Sequence, residues 1–505
     1  MSGPGAPPPR RPARRSASGL LAFRRPRIAG RCSQVAPVSL SAVVPERFRP
    51  LIEQTAELAA LFQTGGRRLY LVGGVVRDAI LGRLTDDSDL DFTTDASPDE
   101  TEKLLYSWAD AVWTQGKRFG TIGAKKGQRS LEITTHRGES YEPGSRHPHV
   151  VFADAIEADL SRRDFTVNSM ALSLPDLQLI DPFDGAADLA GNLLRTPLPP
   201  EVSFSDDPLR MLRAARFIAG YGLAPDNALT DAVRAVRPRL AIVSEERVRD
   251  ELDKLMVVAH PAAGLWFLVE TGLAEEFLPE LPALALEVDP IHRHKDVLAH
   301  TIAVVEKTSP DRLLRLAALF HDVGKPKSRS FSPGGAVSFH HHEMVGARMT
   351  RERMRALHYS SDDVHDVSRL VELHLRFHTY QMGWTDSAVR RYVRDAGPLL
   401  DRLNELTRSD CTTRNAAKAR ALSRRMDELE ARICELETKE RLDAIRPDLD
   451  GVEVMRRLGI SPGRDVGAAL EFLLELRLEV GPLGPDEAGR RLESWWQARS
   501  RVGAD

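Results

Sequence analysis

The chain has 505 residues, of which 42% are hydrophobic and 28% are charged, and its formal net charge is −3. These values are typical of a globular protein of roughly two to four domains, and so small a net charge does not by itself indicate a nucleic-acid partner. Three widely separated cysteines and the lack of an apolar run of about 18 residues argue against a disulfide framework and a membrane span, so we expect a cytoplasmic protein.

The first 45 residues contain no Asp or Glu and are rich in Arg, Pro, Ser and Gly. We expect a disordered tail, or sequence that lies upstream of the true start. Two other interpretations stay open: an organelle transit peptide, which has the same acid-poor character, and a basic arm that contacts nucleic acid.

A small mixed α/β region is predicted next, up to about residue 185. Residues 69–74 form an apolar run that ends in a glycine pair, which predicts a buried strand followed by a turn. A short helix is predicted over 75–81, and further strands are predicted over 89–94 and 131–135.

The remainder of the chain has apolar residues at helical spacing almost throughout. Helices are predicted over 208–219, 245–257, 311–320 and 363–374. Residues 416–442 are highly charged and regularly apolar, which predicts a long exposed helix or a helical hairpin. The fold class is therefore α+β: a small head with a mixed sheet and flanking helices, followed by an extended all-helical body.

Acidic residues mark a candidate reaction centre in the head. Asp89 and Asp91 alternate with Leu90 along a predicted strand, so both carboxylates face the same side. Adjacent carboxylates repel each other unless a cation lies between them, and hard oxygen ligands suit Mg²⁺. Glu132 lies on the polar side of the strand over 131–135, and a third carboxylate allows two metal ions to be held.

The glycine pair Gly73–Gly74 precedes a predicted helix. Glycine lets backbone amides approach a phosphate, and a helix N-terminus favours anions. Each signal alone is weak, since a D-x-D strand is more often a solvated edge and a Gly-Gly turn is usually only a turn. Their combination in order, through 71–78, 81–83 and 89–94, is much more specific.

Together these segments closely resemble the class II tRNA nucleotidyltransferases and bacterial poly(A) polymerases of the polymerase β superfamily. The resemblance continues through 131–137, 162–170 and 206–217. It implies metal-dependent nucleotidyl transfer, with Asp89, Asp91 and Glu132 as the catalytic residues. It also implies a nucleotide-binding set made of Gly73, Gly74, Arg77, Arg163, Asp164, Asn168, Asp207, Arg210, Arg213 and Arg216.

Within that set the resemblance assigns base recognition to Asp207 and Arg210, and ribose and triphosphate contacts to Arg163, Asp164 and Asn168. An Arg–Asp pair offers donors and acceptors that match cytosine and adenine. Uracil and guanine would leave buried groups unpaired, at a cost of about 1–3 kcal/mol per group. Without the resemblance, Asp207 would be interpreted as a helix cap, and Arg163 with Asp164 as a surface ion pair.

Two other charged features have simpler explanations. Arg247, Glu251 and Lys254 share one face of a predicted helix and are expected to brace neighbouring helices through pairs four residues apart. Basic clusters at 351–355, 390–394 and 420–425 are candidate RNA contacts, although solvated helix faces explain them nearly as well.

Eleven of the fifteen histidines lie between residues 292 and 378. Residues 318–326 resemble the HD superfamily of metal-dependent phosphohydrolases. Imidazole with carboxylate suits a transition metal, and paired metals activate water. Two interpretations stay open: an active phosphodiesterase or phosphatase that acts on RNA ends, and a metal-stabilised scaffold for tRNA. The expected ligands are His300, His321, Asp322, His342, His374 and Asp410.

The sequence therefore predicts an enzyme that adds C, C and A from CTP and ATP to the tRNA 3′ end, with Mg²⁺ as cofactor and release of pyrophosphate. The alternatives are a poly(A) polymerase and an HD phosphohydrolase whose head only binds RNA. Five segments are expected: a tail over 1–45, a nucleotidyltransferase head over 46–185, a nucleotide-selecting and RNA-binding neck over 186–285, an HD domain over 286–415, and a tRNA-binding helical region over 416–505.

Overall fold

A mixed β-sheet forms the centre of the head. The computed structural model describes residues 48–85, 90–140, 149–152, 155–285, 296–331, 337–379, 384–411, 416–440, 442 and 445–502. The expected tail over 1–45 and the catalytic candidate Asp89 lie outside the described residues. Among the helices of the described ranges, none combines the length and the apolar character that a membrane span requires.

The strands of the head are short, and most of them join one sheet. They are β1 (Leu69–Val72), β2 (Asp91–Thr94), β3 (Ala111–Trp113), β4 (Thr121–Lys126), β5 (Arg129–Thr135), β6 (Arg137–Ser140), β7 (His149–Phe152), β8 (Ala171–Leu174) and β9 (Leu179–Ile180). The main sheet has the order β3-β4-β5-β2-β1-β8-β9, and β6 pairs with β7 separately. The strands β2 and β5 run parallel, and the other neighbours in the main sheet run antiparallel.

The helices of the head flank this sheet. They are α1 (Arg49–Thr64), α2 (Gly74–Leu81), α3 (Pro98–Tyr106), α4 (Ile156–Ser161) and α5 (Gly185–Ala190). Local sequence explains their ends: Ser97 and Glu100 form a reciprocal capping box at the start of α3, and α2 ends where Gly82 adopts a left-handed conformation with φ 67°.

The rest of the chain is mainly helical, as expected. Its helices are α6 (Pro200–Asp206), α7 (Leu209–Tyr221), α8 (Asn227–Val236), α9 (Glu245–Met256), α10 (Ala262–Glu270), α11 (Ala274–Phe277), α12 (Val297–Lys307), α13 (Arg312–Phe320), α14 (Lys325–Ser328), α15 (His342–Ala356), α16 (Ser361–Leu373), α17 (Asp386–Ala396), α18 (Leu400–Asp410), α19 (Ala416–Glu440), α20 (Gly451–Leu458), α21 (Arg464–Val480) and α22 (Gly484–Val502). Short strands interrupt it: β10 (Leu193–Leu194) pairs with β11 (Ala224–Pro225), and β12 (Arg329–Phe331) with β13 (Val337–Phe339). The body is therefore not all-helical.

Alternation along the central strands gives the sheet a buried face and an open face. Phe92, Ile133 and Ile122 pair across β2, β5 and β4 and are at most 2% exposed. The residues that precede Phe92 and Ile133, namely Asp91 and Glu132, are exposed on the opposite face. The apolar residues thus fix the register that brings the acidic residues together.

The helix α9 joins the neck to the histidine-rich domain. The Met256 carbonyl at its end and the Ala259 carbonyl of the following turn accept hydrogen bonds from Arg315 of α13, which is only 2% exposed. Nearby, the Tyr359 hydroxyl donates to the Asp253 carboxylate at 2.6 Å. These buried polar contacts hold α9 against the domain that carries the histidines.

The charged segment predicted over 416–442 forms the single helix α19. It is not exposed on all sides, because Met426, Leu429 and Leu436 are at most 1% exposed. This apolar face packs against α17 and α18, and Arg408 of α18 pairs with Glu430 at 2.7 Å. The regular apolar spacing therefore marks a packed face rather than a free-standing helix.

Candidate nucleotide site and metal centre

The carboxylates of the head meet on adjacent strands. Asp91 on β2 and Glu132 on β5 are direct partners across the parallel pair. Directly paired residues point to the same face of a sheet, so both side chains project from the open face. The structure thus brings together two of the three predicted acidic residues, while Asp89 lies outside the described residues.

The glycine turn borders the same point. Gly73 has φ 78°, and a Cβ atom added there would lie 3.0 Å from Arg163 Nη1 and 3.7 Å from Asp91 Oδ2. Glycine is therefore required both by the backbone conformation and by the close approach of these side chains. Gly74 begins α2 directly behind the turn, so the amides at this helix N-terminus lie beside a guanidinium and a carboxylate.

Arg163 is held by an acidic residue on the preceding helix. Its Nη2 donates to Asp159 Oδ2 at 3.1 Å, and Asp159 is fully buried. The buried Nε of Arg163 has no hydrogen-bond partner among the described residues. Because Asp159 holds Nη2 while Nη1 lies at the Gly73 turn, this guanidinium is suited to bind a phosphate at the turn.

Asp164 and Asn168 form the centre of a buried network. Asp164 accepts hydrogen bonds from Arg213 Nε at 2.8 Å and from the Asn168 amide at 2.9 Å. Arg77 Nη1 donates to Asn168 Oδ1 at 2.6 Å. Burial of Asp164 disfavours its charged form, but the positive charge and hydrogen bonds of Arg213 and the Asn168 amide outweigh burial and lower the pKa of Asp164 to about 2.

Asp207 and Arg210 lie at the junction of α6 and α7. The helix α7 begins at Leu209, one residue later than predicted, and Asp207 follows the end of α6. Arg210 is 8% exposed, and it donates to the Ser203 hydroxyl at 2.7 Å and to the Arg162 carbonyl. Asp207 Oδ1 accepts from the Leu209 amide at 3.2 Å, as a helix cap would. Their side chains therefore project from fixed positions at one helix start.

The remaining predicted arginines hold protein partners. The Arg77 guanidinium lies 4.1 Å from the centre of the Tyr221 ring. Arg213 and Arg216 both pair with Glu251 of α9, at 3.7 and 2.8 Å. This geometry favours bracing roles for these three arginines over direct nucleotide contact. Glu251 of α9 thus pairs with arginines of α7 and with Lys254 three residues later on its own helix, whereas the sequence predicted pairs four residues apart.

Sequence reasoning missed the residues that position the predicted ones. Ser203 and the Arg162 carbonyl hold Arg210, and Asp159 holds Arg163. Asp159 lies four residues before Arg163, a helical spacing that signals an ion pair. The Ser203 contact spans two helices and leaves no comparable signal in the sequence.

The six predicted histidine-module ligands converge in two groups. One group is His300, His321 and Asp410, and the other is Asp322, His342 and His374; within each group the candidate ligand atoms lie within 4.8 Å of one another. Asp322 links the groups, because its Oδ2 lies 3.2 Å from His321 Nε2 and its Oδ1 lies 3.4 Å from His342 Nε2.

The histidine rings are oriented by backbone carbonyl groups. The Nδ1 atoms of His321, His342 and His374 lie 2.8, 2.8 and 2.6 Å from the carbonyls of Ala318, Phe339 and Val371. This leaves each Nε2 directed at the cluster, which is the arrangement that fixes the tautomer of a metal-binding histidine. His342 Nε2 is buried and has no hydrogen-bond partner among the described residues.

The electrostatics of the cluster also suit a cation. Burial, followed by the charge of neighbouring His321, lowers the pKa of His374 to about 3, so its imidazole is neutral. Burial of Asp322 and Asp410 opposes their ionisation, but contacts with His321, His342 and His300 outweigh burial and lower the pKa of both carboxyl groups. Neutral imidazole and ionised carboxylate are the forms that bind metal. Burial opposes protonation of His321, but the charge of Asp322 outweighs burial and raises the pKa of His321, so a metal that binds there would displace a proton.

Family models cover most of the chain. Residues 69–195 match the poly(A) polymerase head domain, residues 222–284 match a probable RNA- and SrmB-binding site of polymerase A, and residues 297–436 match the HD domain. The last match extends beyond residue 415, where we expected the HD domain to end. The five segment boundaries stay predictions.

Curated relatives carry names from a single enzyme class. The A-adding tRNA nucleotidyltransferase of Deinococcus radiodurans is 33% identical over 442 residues, which is 84% of this chain and 95% of the relative. The CCA-adding enzyme of Bacillus velezensis is 39% identical over 217 residues, 43% of this chain and 53% of the relative. The CC-adding tRNA nucleotidyltransferase of Halalkalibacterium halodurans is 34% identical over 49% of this chain and 59% of the relative.

Solved structures share the fold over most of the chain. The CCA-adding enzyme of Bacillus stearothermophilus in complex with CTP gives a TM-score of 0.64 at 22% identity, covering 89% of this chain and 99% of that chain. The Thermotoga maritima CCA-adding enzyme complexed with tRNA gives 0.58 at 18% identity, covering 90% and 98%. The full-length relative confirms the resemblance drawn from the sequence, and the chain belongs to the tRNA nucleotidyltransferase family.

Proposed function

We propose that this chain adds C, C and A from CTP and ATP to the 3′ end of tRNA and releases pyrophosphate. The observation that carries the proposal is the convergence on the open sheet face: Asp91 and Glu132 in register, beside the turn at Gly73 and the guanidinium of Arg163. Phosphoryl transfer requires acidic residues that can hold metal ions, a turn whose amides bind phosphate, and a positively charged side chain at the same point.

Mg²⁺ fits the donor set of the head. Asp91 and Glu132 are exposed and paired side by side, so their charges repel unless a cation lies between them. Carboxylate oxygens are the ligands that Mg²⁺ prefers, and Asp89 would complete the set. When bound, the metal would activate the attacking hydroxyl and stabilise the leaving pyrophosphate.

Different protein groups bind different parts of the incoming nucleotide. The helix N-terminus at Gly74 and the Arg163 guanidinium bind the triphosphate, while the network of Asp164 and Asn168 fixes the floor of the site. Arg210 is anchored at Ser203, so its remaining donors face the base together with the acceptors of Asp207. This pattern admits cytosine and adenine and rejects uracil and guanine.

Incubation of three tRNA transcripts, ending at the discriminator base, after one C and after two C, tests the proposal. With CTP and ATP together, all three should reach the same length and stop. A-only addition is a second candidate, because the relative matched over nearly its full length is an A-adding enzyme. In that case only the transcript that ends in two C would be extended. Long adenylate tails on unrelated RNA would indicate a poly(A) polymerase instead.

A second activity is favoured by the histidine cluster. Two ligand groups linked by Asp322 could hold adjacent metal ions, and paired metals activate water for phosphoester hydrolysis. We therefore assign to this domain a metal-dependent hydrolysis of phosphate at RNA ends. A transition metal suits the four imidazoles and two carboxylates of the two ligand groups. Release of 2′,3′-cyclic phosphate from an RNA end after loading with Mn²⁺, Co²⁺ or Ni²⁺ tests this assignment. Bound metal without hydrolysis would leave only a metal-stabilised scaffold for the tRNA.

A further inference from the structure

A cavity of about 440 Å³ opens on the head sheet beside Glu132. Its lining residues include two aromatic residues, Trp113 and Phe119, together with Gly123 and Arg137. This volume falls within the range of small-molecule sites, about 300–1,000 Å³. The residues assigned above to the incoming nucleotide do not line this cavity, so the cavity is available to a different ligand.

Strand register ties the cavity to the carboxylates. Trp113 pairs with Gly123, Gly123 with Glu132, and Glu132 with Asp91, so these four residues form one row on the same sheet face. A Cβ atom added to Gly123 would lie 1.9 Å from Trp113 Nε1. Glycine at this position is what allows the indole ring to lie against the strand and form the wall of the cavity.

The cavity lies on the flank of the carboxylates opposite the triphosphate groups. The turn at Gly73 follows β1, and Arg163 precedes β8, which lies beyond β1 in the strand order. The row of residues that leads from Asp91 to the cavity crosses β5, β4 and β3, which lie on the other side of β2 from β1. In nucleotidyl transfer the attacking oxygen and the leaving oxygen lie roughly in line on opposite sides of phosphorus. The attacking 3′ hydroxyl therefore has to approach from the side of the cavity.

The lining has the chemistry of a base-stacking site. Phe119 is 37% exposed, and the Arg118 guanidinium lies 4.5 Å from the centre of its ring. Aromatic rings stack on any nucleobase because every base has a π face, whereas hydrogen-bond recognition selects one base. A growing RNA end presents a different terminal base after each addition, so a stacking site tolerates each one.

We propose that this cavity binds the 3′-terminal nucleoside of the RNA, with its base stacked on Phe119 against the wall formed by Trp113. This places the terminal ribose next to Glu132 and Asp91, where its 3′ hydroxyl reacts. The inference rests on the proposed nucleotidyl transfer and adds the site of the accepting RNA end to it.

Steady-state kinetics of Phe119→Ala test the proposal. Loss of one base–aromatic stack is worth about 1–3 kcal/mol, so we expect the KM for tRNA to rise about tenfold or more while the KM for CTP stays unchanged. Phe119→Tyr should restore the KM for tRNA. The matched control is Tyr106→Ala, which removes a ring that is 63% exposed at the end of α3, outside the cavity lining. An unchanged KM for tRNA in Phe119→Ala, or a rise in the KM for CTP instead, would overturn the proposal.

A binding measurement keeps this test independent of catalysis. A tRNA acceptor minihelix with 2-aminopurine as its 3′-terminal base should lose fluorescence on binding, because stacking quenches this base. Quenching should be weaker with Phe119→Ala and Trp113→Ala than with wild type or Tyr106→Ala. Equal quenching in all four proteins would refute the stacking site even if wild type adds nucleotides. If quenching depends on Phe119 but wild type adds no nucleotide, the stacking site stands and only the proposed nucleotidyl transfer is refuted.

Discussion

The Ser203 hydroxyl accepts a hydrogen bond from Arg210 Nη1 at 2.7 Å inside the junction of α6 and α7. Because Arg210 is 8% exposed, this contact fixes the direction of a guanidinium that would otherwise sample several rotamers. The residue that we propose to recognise the base is thus positioned by a serine that no sequence pattern singled out.

The first prediction concerns this contact. Ser203→Ala should lower kcat/KM for CTP and ATP about tenfold, since a hydrogen bond to a charged group is worth about 1.5–3 kcal/mol. It should also reduce the discrimination against UTP and GTP, because the Arg210 guanidinium is then held through the Arg162 carbonyl without its second anchor at Ser203. Kinetics with the four nucleotides check this, and Ser205→Ala on the same helix is the control. Equal values for Ser203→Ala and Ser205→Ala would show that the hydroxyl has no positioning role.

The second prediction concerns Glu132. Replacing it by Gln removes a charge from the row that contains Asp91 but keeps the shape of the side chain. We expect kcat to fall about a hundredfold or more with little change in the KM for CTP, because stabilisation of the transition state is worth several kcal/mol. Ser130→Ala, an exposed position on the same strand, should leave kcat unchanged. A wild-type kcat for Glu132→Gln would remove this carboxylate from the reaction centre.

The third prediction is a pH dependence of stability. The pKa of Asp164 is lowered to about 2 in the folded protein, where the ordinary value is 3.8. A depressed pKa stabilises the fold fully above about pH 5 and loses that contribution as the pH falls towards 2. Wild type should therefore lose about 1 kcal/mol more between pH 5 and pH 3 than Asp164→Asn, measured as urea-induced unfolding of the head. Parallel pH profiles for the two proteins would contradict the ion pair with Arg213.

The fourth prediction separates the two candidate sites. His321→Ala should remove bound metal from the histidine cluster and abolish hydrolysis of 2′,3′-cyclic phosphate, while CTP incorporation stays near the wild-type rate. Elemental analysis and the two activity assays check this. The control is His365→Ala, since His365 is exposed on α16 and belongs to neither ligand group. Loss of metal in His365→Ala, or its retention in His321→Ala, would contradict the assigned ligands.

Local patterns predicted the elements of the fold well. The strand and helix around Gly73, the strand that carries Glu132 and the helix over 245–257 all occur within a few residues of their predicted bounds. Alternating and helical spacing of apolar residues is a local property, and it determines which face of each element is buried. The proximity of the six candidate ligands around His321 was also predictable, because the resemblance of residues 318–326 to the HD superfamily indicated which residues to expect there; their role as ligands stays a prediction.

Contacts between distant elements were not predictable in this way. The basic cluster at 390–394 contains Arg390, which is 3% exposed and paired with Glu440 at 2.8 Å, and Arg391, which pairs with Glu475 at 2.6 Å. These arginines join helices rather than present free charge to RNA. The cavity at Trp113 likewise depends on strand order, since three separate strands must align before an indole and a carboxylate share a row.

Mass spectrometry of a tRNA transcript that ends at the discriminator base, after incubation with CTP and ATP, tests the central claim most directly. We predict a mass gain of two cytidylates and one adenylate with wild type, and no gain with Asp91→Asn. The same gain with Asp91→Asn, or no gain with wild type, would contradict the account.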